Sequence, residues 1–227
     1  MAPAGYFQGP GPDLLAQGGV LTASIRRDLA DLNRQFLELG LRPELSHDPR
    51  FAWSGPVRSG LLGTDASTLG RMASCPFALF GIRLPAPAAD GRPVGSRVED
   101  GAAVIASSEP WHGRCLAFVH SALFVALRLA DTAPLAARIA LGLSPGSELR
   151  LNEMCQSEVA QLATCPDVIH PRWPAQPRFW VMLRGAARQC SPASWQWAHC
   201  FGICLLGPDL DGFAEHASPA SRRPPPR

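Results

Sequence analysis

The chain has 227 residues, 46% hydrophobic and 18% charged, which excludes a chain too polar to fold and supplies the core of one large or two small soluble domains. The formal net charge is +2, and all 21 basic residues are arginine; this balance neither predicts a nucleic-acid footprint nor excludes a local basic patch. Seven cysteines, an odd number, argue against a closed disulfide framework, and the opening residues lack the pattern of a secretory signal, so the expectation is a cytoplasmic protein with reduced thiols.

Residues 1–20 are rich in Gly and Pro without periodic apolar positions and are expected to be flexible. A first helical repeat is expected over 21–85. Thr22 or Ser24 can cap an amphipathic helix in which Ile25, Leu29, Leu32, Phe36 and Leu39 recur at spacings of three and four. Gly40 and Pro43 end it. A second helical stretch starts near Pro56, breaks at Gly63 and restarts at Asp65 or Ser67. The segment FALFGIRL that follows fits a short strand or another helical turn. Residues 86–109, with repeated Pro, Gly and acidic positions, read as a linker.

A second helical repeat is expected over 110–207. Its apolar run from Cys115 to Leu127 contains His120 and is closed by Arg114 and Arg128, short of the roughly 20 residues that span a bilayer, so it reads as a core helix and no membrane partner is expected. Pro134 starts a short helix that Gly142 closes. Ser144-Pro145 or Ser147 then starts a helix carrying LRLNEMCQSEVAQLA, which Cys165-Pro166 ends. FWVMLRGAARQ and a final helix through ASWQWAHCFGICLL follow, and 208–227 reads as a disordered tail.

One stretch of letters occurs twice. STLGRMASCP at Ser67 to Pro76 returns as SEVAQLATCP at Ser157 to Pro166, ninety positions later. Ser, Ala, Cys and Pro match, and Leu69/Val159, Met72/Leu162 and Ser74/Thr164 keep size and polarity. Each copy reads as a helix capped by its Ser, buried through its apolar stripe and stopped at Cys-Pro. The expected fold class is all-α, two tandem helical repeats packed through the Cys115–Leu129 helix and the final helix.

The order of parts is carried in the first half by DLNRQFLEL, the helix to Leu62 and STLGRMASCPFALFGIRL, and in the second by HSALFVALRLADT through CPDVIHPRW and then WQWAHCFGICLL. It resembles the family of the flagellar master transcriptional regulator subunit FlhD. The resemblance implies a non-enzymatic regulator of transcription that dimerises and acts with a zinc-containing partner subunit. Two copies in one chain would be the covalent counterpart of that dimer, and DNA would be met only within the complex. No base-reading residue is carried over.

The side chains with chemistry are weighed against plain packing. Trp173, Trp180, Trp195 and Trp197 can form a partner surface or a core, and Arg178, Arg184 and Arg188 can meet phosphates or an acidic partner, a solvated face being the default reading. Cys200 and Cys204 lie four apart beside His199, and with Cys165, His170 and Cys190 they offer sulfur and imidazole ligands for zinc; their spacing is not that of a zinc finger, and core packing is the favoured reading. Thiolate ligation of haem at Cys-Pro yields to Pro as a helix stop. Gly142-Leu143-Ser144-Pro145-Gly146 has the letters of a nucleophile elbow without the strand that motif requires. His47, ahead of Pro49-Arg50-Phe51, and His170, ahead of Pro177-Arg178-Phe179, can carry protons, but local packing and hydrogen bonding is the favoured reading. The expectation is a protein-binding regulator without catalytic residues or cofactor, with a Cys/His metal- or haem-binding sensor or small enzyme as the rival.

Overall fold

The computed structural model describes residues 21–85 and 110–205, and is about 70% helical, with nine α-helices and one two-stranded sheet among the described residues. The segments expected to be a flexible start (1–20), a linker (86–109) and a tail (208–227) lie outside them. The all-α class therefore holds as mostly α.

Helix α1, Ala23–Gly40, starts where Thr22 caps it by accepting from the Ile25 amide at 3.3 Å, and it buries Ile25, Leu29, Leu32, Phe36 and Leu39 as the spacing requires. Two short 3₁₀ turns, Pro43–Leu45 and Pro49–Phe51, lead to α2, Gly55–Leu62. Helix α3, Ala66–Ala73, carries the first copy of the repeated letters and packs on α1. Asp65, not Ser67, caps it, accepting from the Thr68 amide at 2.8 Å while the Ser67 hydroxyl donates to the same carboxylate. The segment left open between strand and helix becomes strand β1, Phe80–Ile82, fully buried.

Helix α4, Pro110–Thr132, is the longest element and packs on α1 as well as on its own half. By length and composition it is long and apolar enough to cross a membrane over Trp111–Thr132, and half of that stretch is buried inside the protein. The uncharged run from Cys115 to Leu127 understates it, because the helix continues past Arg114 and Arg128. Helix α5, Pro134–Leu141, ends at Gly142 with φ 66, as its Gly foretells. The expected single helix over the second copy is two: α6, Ser147–Glu153, and α7, Gln156–Thr164. The break is at Met154-Cys155, where the Cys155 amide donates to the Glu158 carboxylate at 2.7 Å in a capping box. Here too the Ser is not the cap. Ser157 sits two residues inside and bonds the Cys155 sulfur at 3.0 Å, as Ser67 bonds Asp65.

Strand β2, Ile169–Pro171, pairs antiparallel with β1, Gly81 opposite His170. Each strand thus follows a helix bearing the repeated letters, and one comes from each half. Helices α8, Pro177–Gln189, and α9, Pro192–Cys204, complete the described fold. The packing between halves differs from the expectation in one respect: α8, rather than the final helix, makes the main contacts with α2 and α3, and α9 lies chiefly on α8.

Aromatic rings fill the junction. Phe36 of α1 lies 5.4 Å from Phe80 of β1 and 6.1 Å from Phe118 of α4, ring centre to ring centre, so both halves share one core. Each such ring contributes roughly 1.5–3 kcal/mol through burial.

Candidate partner-binding face

Helix α8 is held from within by apolar burial and by two arginine staples. Phe179, Trp180, Leu183, Ala186 and Ala187 face inward. The Arg71 guanidinium of α3 donates to the Ala187 carbonyl, and the Arg184 guanidinium donates to the Gly60 carbonyl of α2. Both are charge-assisted bonds that lock α8 onto the first half.

This settles several candidates. Trp180 is 3% exposed and its Nε1 donates to the Trp173 carbonyl at 3.2 Å, so it is a core residue and not a partner contact. Arg184 is half-buried and donates one N–H to the Gly60 carbonyl, which holds its guanidinium against α2 rather than extended into solvent. Trp173, at φ 52, is half-buried with its ring centre 4.4 Å from that of Phe179 and 5.5 Å from that of Phe77. Trp195 is half-buried beside the His199 ring at 5.2 Å. Arg178 and Arg188 are exposed at the two ends of α8, with Val181 exposed between them. Beside Val181 a notch of about 60 Å³ opens between α2 and α8, walled by Pro56, Val57 and Leu61.

Helix α9 is the more unusual surface. Its inner face is Ala198 and Gly202, and a methyl added at Gly202 would come within 2.6 Å of the Phe77 ring, so no larger residue fits. Close approach on that side turns Ala193, Gln196, Trp197, Cys200 and Cys204 outward in one helical stripe, all exposed. Trp197 is 71% exposed. The helix contains no Asp, Glu, Lys or Arg. A surface helix without charge, presenting an open indole, is the pattern of a contact face.

The metal set of the rival reading is not assembled. Among the described residues no group of three or more His, Cys, Asp or Glu is placed to hold a metal ion. Cys165 closes α7, His170 lies over Gly81 in the sheet, and Cys200 and Cys204 point outward from α9, so Cys165 and His170 do not join them. Burial, then the charge of Asp167, pushes the Cys165 thiol up. Burial alone pushes the Cys75 thiol far up, which makes it an inert core side chain rather than a haem ligand. Burial also pushes Cys115 up to about 11. The Ser144 hydroxyl bonds that of Ser147 at 2.8 Å between two helices, without the strand of a nucleophile elbow.

Two buried polar residues escaped the sequence reading. Asn33, fully buried on α1, donates to the carbonyls of Ala73 and Phe77 at 3.2 and 2.9 Å and accepts from the Leu79 amide at 2.7 Å. Its signal was a polar residue inside the apolar stripe. Arg172 donates to the carbonyls of Ile139 and Ala140 at 3.1 and 3.3 Å, capping the last turn of α5 with a guanidinium. No local pattern marks it. Compared with protein-family models, with curated proteins and with solved structures, the chain has no match.

Proposed function

We propose that this protein is a non-enzymatic regulatory subunit that acts in the cytoplasm by docking another protein subunit, and that it is a covalent counterpart of a FlhD-like dimer serving transcription regulation. The observation that carries the docking reading is the uncharged outer stripe of α9 with Trp197 at 71% exposure. Tryptophan is the residue type that most often dominates interface energetics. Arg188 at the end of α8, and Val181 beside its notch, offer further contacts. The tandem reading is supported by the parallel order of parts: a long helix packed on a shorter one that bears the repeated letters, then a strand, in each half. By the same resemblance, DNA would be contacted only within the complex.

The test is co-expression with a zinc-containing partner subunit of the kind the FlhD resemblance implies, taken from the same genome, comparing the wild type with Trp197→Ala. The expected outcome is complex formation weakened at least about tenfold, by about 1.4 kcal/mol or more, with an unchanged melting temperature. Equal affinity for both proteins would refute the docking face. Failure of the wild type to bind, with a gel shift unchanged by the candidate partner, would refute the family assignment.

A further inference from the structure

Away from α8 and α9, a groove of about 280 Å³ lies between the C-terminal end of α1 and the first turns of α4, lined by Gln35, Glu38, Arg42, Trp111 and Arg114 over Leu39. Its two guanidinium groups are placed by one ring. The Arg42 guanidinium carbon is 4.5 Å, and that of Arg114 5.2 Å, from the centre of the Trp111 ring. Stacking of this kind orders a guanidinium and leaves its N–H edges open for an acceptor. The backbone under Arg42 is fixed too, because Arg58 donates to the carbonyls of Gly40 and Arg42 at 2.6 and 2.9 Å.

Neither guanidinium has a carboxylate partner among the described residues. Glu38 stands four residues before Arg42, a spacing at which acid and base ordinarily pair, yet Arg42 is turned to the indole instead. Among the described residues the groove is therefore lined by two cations ordered on one indole and without a carboxylate partner, by the Glu38 carboxylate, which pairs with neither, and by Gln35, whose Nε2 donates to Asp31 at 3.0 Å and leaves its Oε1 open.

We propose that this groove binds a phosphate monoester of a small hydroxylated molecule. A phosphate monoester carries about 1.5 to 2 negative charges at neutral pH and three acceptor oxygens, matching two guanidinium forks where a carboxylate would match one. The volume exceeds what a bare phosphate needs and falls at the small end of ligand pockets, so it fits a short carbon skeleton whose hydroxyls reach Glu38 and Gln35.

The experiment titrates the full chain with glycerol phosphate, with inorganic phosphate and with glycerol, following heat and tryptophan fluorescence. The expected result is a Kd for glycerol phosphate below about 1 mM, at least about tenfold tighter than for either fragment. Arg42→Ala and Arg114→Ala, both at exposed positions, are each expected to weaken it at least tenfold while the far-ultraviolet spectrum stays unchanged. Raising sodium chloride from about 50 to about 300 mM is expected to weaken wild-type binding, a readout that needs no variant. Absence of binding, indifference to salt or to either substitution, or inorganic phosphate binding as tightly as the ester would overturn the assignment.

Discussion

Asn33 shows how much one side chain can organise. A carboxamide has two donors and an acceptor arranged to satisfy separate backbone groups, and here they meet the carbonyl of Ala73 at the end of α3 and the Phe77 carbonyl and Leu79 amide of the loop that leads to β1. Those groups are buried, so without Asn33 they would lose water and partner alike. Asn33→Ala is expected to lower stability by about 3 kcal/mol, at the upper end for a buried polar deletion, measured by urea unfolding. A loss under about 0.5 kcal/mol would mean that the loop finds other partners. Asn33 could have been found from its place in the apolar stripe of α1. Arg172 could not, because the carbonyls it caps are more than thirty positions away in the chain.

At the scale of elements, caps decide where the helices begin. The α3 cap is the Asp65 carboxylate, and hydrogen bonds from Ser67, then Thr68, hold it well below the usual carboxylate range. A depressed folded pKa contributes stability that is present above the unfolded value and lost as pH falls towards the folded one. Asn can cap without ionising. The wild type is therefore expected to exceed Asp65→Asn in melting temperature near pH 6, and that margin is expected to shrink as pH falls below about 4. A margin independent of pH in circular-dichroism melts would show that the charge contributes nothing. Ser67 and Ser157 were the natural caps by letter, but in both halves the cap stands two residues earlier and the Ser bonds to it. Sequence pattern locates such a helix start to within a turn, because Asp, Ser and Thr compete for the same amides and only the backbone path selects one.

At the scale of the molecule, the two halves share one core. They are joined by the β1–β2 ladder, by α1 on α4 with Phe36 against Phe118, and by α8 stapled to α2 and α3 through Arg184 and Arg71. A chain cut at a protease site engineered at Gly95 is thus expected to remain one particle on size exclusion at micromolar concentration and to separate only on unfolding; two peaks under native conditions would refute this. The sequence by itself determined the mostly helical class, the long amphipathic and apolar helices, most helix stops, and the two stretches of shared letters, because periodicity, Pro and Gly act over a few residues. Only the tertiary structure decided that Trp180 is core while Trp197 is open, that Arg184 is tied to a backbone carbonyl while Arg42 and Arg114 stack on an indole, and that Cys165 and His170 never meet Cys200 and Cys204. Exposure and partnership depend on which distant surfaces come to lie against a side chain, and no local pattern of letters carries that information.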